Sequence, residues 1–208
     1  MCSSDLMTRN VQFQKRLMLF VGAISITGCE WYCDPPSDHV PQVAVQHPVA
    51  NPVSIAVADH SEIVKRIESH RGQVVVLDCW STSCPPCIKE FPGLVDLKKD
   101  YGDTVACFSL SFDYEGLGVP EDVLPPVKTF LEQVSAGDIE NLLNRDEADA
   151  LYKKMNITSV PVVIVWDRNG TLIQQFDDEY ASEKLGRSFA YEDVRGVVDQ
   201  ALRLQSKE

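Results

Sequence analysis

Val74-Val75-Val76-Leu77-Asp78-Cys79-Trp80-Ser81-Thr82-Ser83-Cys84-Pro85-Pro86-Cys87 is the stretch whose reading decides the fold. Its apolar run has no polar alternation before Asp78, the pattern of a central strand covered on both faces. Pro85-Pro86 can only form a turn or the first turn of a helix, because proline has no N–H to donate and its φ suits that position. Both thiols therefore stand where a strand meets a helix. Beyond Cys87, the apolar residues Ile88, Phe91, Leu94, Val95 and Tyr101 recur at helical spacing, and Gly102 is a stop. That places Cys84 at a helix N-terminus, where a thiol ionises more readily than its ordinary pKa of about 8.5 allows.

Upstream, Asp59-His60-Ser61-Glu62 is an acid cap with Glu three residues on. Ile63, Val64 and Ile67 follow at helical spacing as far as Gly72, which predicts a helix feeding the central strand. Downstream, Thr104 to Phe112 alternates as the next parallel strand, and strand, helix, strand implies a right-handed crossover. Cys79 and Cys107 fall inside these strands and read as inert core thiols. Val127 to Val134 and Asp146 to Lys154 read as helices, the second with Ala148, Leu151, Tyr152 and Met155 on its buried side. Val162 to Trp166, the Asn169-Gly170 turn and Thr171 to Phe176 make a hairpin signal. Asp177-Asp178-Glu179 reads as a solvated loop, and Tyr191 to Leu204 as a closing amphipathic helix.

With 208 residues, 44% of them hydrophobic, the chain has room for one domain of ordinary size plus a tail. Its net charge of -12 argues against nucleic-acid binding and against adhesion to anionic lipid. The first 28 residues run the other way. Arg9, Lys15 and Arg16 precede the apolar run Leu17 to Ile26, which is too short for the roughly 20 residues that span a bilayer and suits a cleaved export signal. The segment ends Ile26-Thr27-Gly28-Cys29 and resembles a bacterial lipobox, with Cys29 as the lipidated first residue of the mature chain. A start at Met7 would leave the pattern intact. Residues 29–53, with Pro35, Pro36, Pro41, Pro48 and Pro52, read as an extended tether in which Cys33, His39 and His47 have no evident partners. The expected organisation is a leader over 1–28, a tether over 29–53 and a domain over 54–205, exported and anchored to a bacterial membrane, facing the periplasm or the cell exterior.

Four features of the active stretch resemble the thioredoxin-fold TlpA/ResA-like thiol-disulfide oxidoreductases. They are the strand with its acid (Val76-Leu77-Asp78), the aromatic Trp80, the Cys84-Pro85-Pro86-Cys87 pair, and Lys89-Glu90-Phe91-Pro92, whose proline falls where this fold kinks its active-site helix. A fifth is Thr158 to Gly170, similar to the family's cis-proline loop, next strand and hairpin turn. Ser83 departs from the pattern, since the family usually carries Trp there. The resemblance implies an α/β thioredoxin fold, a central mixed sheet flanked by helices, with an inserted helix and strand after the second core strand. Asp138 to Leu143 would be that added strand. It also implies a cis Val160-Pro161 bond beside the cysteines, with Val160, Pro161, Trp80, Ser83, Pro85 and Pro86 forming a substrate groove.

A C-x-x-C is a redox pair, half of a zinc site, or chance. Zinc needs two further ligands, yet the chain has no second C-x-x-C, and all four histidines (His39, His47, His60, His70) precede the motif, so no metal is expected. In the redox reading, the Cys84 thiolate attacks a substrate disulfide and Cys87 resolves the mixed disulfide, with no cofactor beyond the Cys84–Cys87 disulfide itself. Asp78 sits in the most apolar strand, where a carboxylate is costly without a task or partner, and it matches the family's buried acid. Its expected role is proton acceptor for Cys87, its pKa raised by desolvation. The expected partners are a protein disulfide substrate such as apocytochrome c, a membrane electron donor and the membrane itself, with the protein a monomer. Two alternatives stay open: a peroxiredoxin-like thiol peroxidase, for which Ser81 supplies the hydroxyl but Leu77 stands where proline belongs, and a copper chaperone using Cys84 and Cys87 as soft ligands.

Overall fold

The computed structural model describes residues 51–204. The expected leader over 1–28, Cys29, Cys33 and the expected tether as far as residue 50 lie outside the described residues. The chain order is β1 (Ile55–Ala58), α1 (His60–Ser69), β2 (Val74–Trp80), α2 (Pro85–Glu90), α3 (Pro92–Tyr101), β3 (Val105–Ser111), α4 (Leu124–Gln133), β4 (Glu140–Asn144), α5 (Ala148–Met155), β5 (Val162–Trp166), β6 (Leu172–Phe176), α6 (Asp178–Tyr180) and α7 (Tyr191–Leu204).

The strands form one mixed sheet in the order β1-β4-β3-β2-β5-β6. β1, β4, β3 and β2 pair in parallel, while β5 runs antiparallel to both β2 and β6. β2 and β3 are buried at every position, as strands with both faces covered must be. Side chains alternate across β2. Val74, Val76 and Trp80 enter a core with Cys87, Phe91, Leu94 and Leu97 from α2–α3, Val127 and Leu131 from α4, and Val194 and Val198 from α7. Val75, Leu77 and Cys79 enter the opposite core with Ile63 of α1 and Leu151 of α5. Asp78, between Leu77 and Cys79, thus shares its sheet face with Cys87.

Local chemistry explains most boundaries. Asp59 and Glu62 form a reciprocal capping box at the start of α1. The active-site helix breaks at Phe91, the residue before Pro92, and Gly102 ends α3 with φ 54°, in the region that favours glycine. Phe91 still packs fully buried against Trp80 and Phe130, with ring centroids 5.0 and 5.2 Å away. Truncating it to Ala would cost about 3–5 kcal/mol.

Three expectations are corrected, and one strand was not foreseen. β1 carries no alternating pattern and escaped the sequence reading, although four main-chain register pairs tie it to β4. Val64 is 37% exposed, so α1 covers the sheet with Ile63 and Ile67 alone. The helix expected from Val127 begins at Leu124, because Pro125 and Pro126 sit in its first turn, where no N–H is needed. The acidic run 177–179 is no open loop: the Asp177 carboxylate accepts the Tyr180 N–H and caps α6.

Candidate active site

The antiparallel register sets Val162 opposite Cys79, which brings residues 160–161 beside the turn that follows β2. There Cys84 is the N-cap of α2 and is joined to Cys87 by a disulfide with a Cα–Cα distance of 5.3 Å. Cys84 Sγ accepts the Cys87 N–H at 3.3 Å. Pro85 and Pro86 have no N–H, so Cys87 supplies the first main-chain donor of the helix. Cys84 Sγ also lies 3.7 Å from the Val160 carbonyl oxygen, at the cis Val160–Pro161 bond. Cys84 is partly exposed while Cys87 is 2% exposed. An incoming thiolate or disulfide therefore meets Cys84 first.

The turn is anchored from β3. The Asp113 carboxylate accepts the Thr82 N–H at 3.0 Å, the Ser111 hydroxyl at 2.6 Å, the Ser81 hydroxyl at 3.3 Å and the Thr82 hydroxyl. Ser81 in turn accepts the Ser83 N–H at 3.2 Å. A cavity of about 330 Å³ opens beside Cys84, lined by Ser81, Ser83, Phe112, Glu115, Asp149 and Tyr152 among others. Glu115, Glu147 and Asp149 line this cavity together with Cys84, the more exposed end of the disulfide.

Asp78 is 3% exposed, and its carboxylate accepts a hydrogen bond of 2.5 Å from the Tyr191 hydroxyl. Burial pushes its pKa up to about 7; the Tyr191 hydrogen bond opposes the rise and the charge of Glu90 adds to it. Tyr191 is pushed well above its ordinary value, first by burial and then by Asp78, so it stays a donor. Cys79 and Cys107 are buried without disulfide partners; burial raises Cys79 well above an ordinary thiol and Cys107 to about 12.

Val160, Pro161, Ser83, Pro85 and Pro86 are all at least partly exposed around the disulfide. Trp80 is not a groove residue. It is fully buried between Phe91 and Phe130, because it continues a strand whose even positions all face the helix-covered core. Sequence reasoning missed Tyr191, Asp113 and Gly93, each tied to the site by contacts across distant sequence. The Tyr191 aromatic ring at the head of an amphipathic helix reads as core, and nothing local marks it as a partner of Asp78. Among the described residues, no cluster of three His, Cys, Asp or Glu side chains could hold a metal ion.

A buried acid beneath a C-x-x-C disulfide at a strand-to-helix turn, faced by a cis-proline loop, is here carried on a thioredoxin-type fold. No protein-family model matches the chain. Among curated proteins it is similar to the thiol-disulfide oxidoreductase ResA of Bacillus thuringiensis subsp. konkukian, at 27% identity over 124 residues, covering 58% of this chain and 65% of the relative. It is also similar to the thioredoxin-like protein YneN of Bacillus subtilis, at 26% identity over 106 residues, covering 51% and 57%. The chain thus spans less than two thirds of the length of these relatives. Among solved structures, one assigned as a thioredoxin from Neisseria meningitidis aligns with a TM-score of 0.51 at 14% identity, covering 68% of this chain and 82% of the other, a likeness of fold. The chain is thus similar to the ResA and YneN proteins, the resemblance that the active-site stretch suggested.

Proposed function

We propose that the protein is a thiol-disulfide oxidoreductase that reduces protein disulfides through Cys84 and Cys87. The observation that carries this is the graded pair: a partly exposed Cys84 at the helix head and a buried Cys87, on the same sheet face as an acid that titrates near neutrality. In the reduced protein the Cys84 thiolate attacks one sulfur of the substrate disulfide, and the other sulfur leaves as a thiolate that takes a proton from water. Asp78 accepts the Cys87 proton. The Cys87 thiolate then attacks Cys84 Sγ, closes the 84–87 disulfide and expels the second substrate sulfur. Two electrons pass to the substrate, and an external dithiol must return them. The Val160 main chain offers an extended peptide a pairing edge beside Cys84.

In this proposal the chain is exported through its leader, held at a bacterial membrane by a lipid on Cys29, and re-reduced by a membrane donor; disulfides of exported proteins such as apocytochrome c are its substrates. Basic residues before a short apolar run ending in Ile26-Thr27-Gly28-Cys29 support the first two points. Insulin reduction driven by dithiothreitol tests the activity, and Cys87→Ser should trap substrates as mixed disulfides through Cys84. A protein that left insulin oxidised but consumed peroxide, or took up Cu(I) at the cysteine pair, would replace this reading with a peroxidase or a copper carrier. Membrane partitioning lost in Cys29→Ser tests the anchor.

A further inference from the structure

Among the described residues the Tyr191 hydroxyl is the one hydrogen-bond donor to the Asp78 carboxylate, and it comes from the first residue of α7, 113 positions away. Its approach depends on a gap in α3. A Cβ at Gly93 would lie 2.3 Å from Tyr191 Cγ and 2.5 Å from both Tyr191 Cβ and Cδ2, closer than any real contact. Gly93 is helical, where glycine is the poorest residue after proline, so this position favours helix less than an alanine would. The gap lets the ring pass against the helix backbone, and the hydroxyl then reaches the buried acid.

We propose that Tyr191, seated through the opening at Gly93, is a positioning residue for Asp78: its hydroxyl fixes the carboxylate on the Cys87 side of the sheet and stabilises the ionised form that takes up the Cys87 proton. This deepens the reductase reading and rests on it. The other groups around Asp78 do not replace the donor. Glu90 of α2 repels the charge, Cys79 on the same strand is a neutral thiol facing the opposite core, and Cys107 of β3, with Lys98 beyond it, is a neutral thiol near Tyr191. With Tyr191 itself un-ionised in the working range, the pair holds one proton on the phenol and shares the titration of one carboxyl.

Tyr191→Phe removes the hydroxyl and keeps the ring. Carboxyl NMR of labelled aspartate should show the Asp78 midpoint move upward by roughly one pH unit, the scale of a hydrogen bond to a charged group. Insulin reduction at pH 7 should fall about fivefold, the loss expected when the ionised fraction drops from half to about a tenth, and recover as pH rises past the new midpoint. Gly93→Ala should shift the midpoint the same way by displacing the ring. In an Asp78→Asn background, Tyr191→Phe should leave the pH profile unchanged. An unmoved or lowered midpoint in folded Tyr191→Phe overturns the proposal. The reductase reading fails separately, if the wild-type protein leaves insulin oxidised while the carboxyl shift is intact.

Discussion

Four cysteines lie within the described residues, two in strands and two at the head of a helix. Cys79 and Cys107 sit within the strands β2 and β3, buried without partners, on opposite faces of the sheet. Cys84 and Cys87 sit a few residues beyond the end of β2, where the chain turns into a helix. Burial alone does not separate them, since Cys87 at 2% is as buried as Cys107 at 4%. What separates them is what else is present: a helix N-terminus for Cys84, and for Cys87 a carboxyl on the same face poised near neutral pH. Cys107 shares that face, yet it stands in a strand whose main-chain N–H groups are engaged in the sheet, and it has no sulfur within bonding reach. Position at the strand-to-helix turn, not depth in the core, is what sets Cys84 and Cys87 apart.

The largest effect should come from breaking the pair. Cys84→Ser should abolish insulin reduction, whereas Cys79→Ala and Cys107→Ala should retain it and lose only about 1–2 kcal/mol of stability as small buried side chains. Timed alkylation of the reduced protein followed by mass spectrometry should label Cys84 first, Cys87 later, and Cys79 and Cys107 only after unfolding. Early labelling of Cys107 would erase the distinction.

Next is the acid beneath them. Asp78→Asn should slow resolution of the mixed disulfide while leaving the first attack by Cys84 nearly intact, which stopped-flow reduction can separate. It should also change stability with a definite sign. The Asp78 pKa is raised on folding from 3.8 to about 7, so its favourable contribution is complete below about pH 4 and is lost as pH rises to about 7. The Asn variant, which cannot titrate, should therefore gain on the wild type between pH 4 and pH 8 by on the order of 4 kcal/mol, about three pKa units at 1.36 kcal/mol each. Urea unfolding at the two pH values measures this, and an equal difference at both would mean that Asp78 does not titrate in the folded range.

How much of this contrast was legible in the sequence depends on how local its causes are. The β2 run, the capping box of α1, the hairpin and the bounds of α7 were readable because a few adjacent residues dictate each, whereas the helix break before Pro92 came from resemblance. The cis bond at Pro161 came from resemblance; nothing in Val160-Pro161 by itself distinguishes cis from trans. Tyr191, Gly93 and Asp113 were invisible because their roles exist only after distant elements meet. Trp80 was misplaced for a related reason: the resemblance put it in the groove, while strand alternation carried it into the core. β1 lacked signal because Ile-Ala-Val-Ala at a sheet edge is four residues long and does not alternate in polarity.

A smaller effect tests the turn itself. Asp113→Ala removes the acceptor of the Thr82 main-chain N–H and of three hydroxyls, those of Ser81, Thr82 and Ser111. The cost should be about 1–3 kcal/mol, since the Thr82 N–H is left without its carboxylate partner. Insulin reduction should fall with it, because the loop that presents Cys84 loses its tie to β3, and Asp113→Asn should restore part of both. Unchanged denaturant midpoints in Asp113→Ala would show that the turn is held by the disulfide and the sheet alone.

The smallest effect concerns redox poise and rests on Pro85-Pro86. In an ordinary helix the N-cap group can be reached by the N–H of either the second or the third residue, and here the second, Pro86, has none. Cys84 Sγ therefore receives only the Cys87 N–H, at 3.3 Å. Pro86→Ala restores a donor that would stabilise the Cys84 thiolate and hence the reduced protein. It also frees φ at residue 86, which raises the entropy lost when the open dithiol closes and again favours the reduced form. Both changes act in one direction, so the variant should be the more oxidising, with a potential higher by roughly 20 mV for each 1 kcal/mol gained in this two-electron couple. Equilibration with glutathione at fixed pH measures the difference. A lower potential in Pro86→Ala would mean that the prolines hold the disulfide under strain instead of withholding a donor from the thiolate, and the contrast between the turn and the strands would then need a different physical cause.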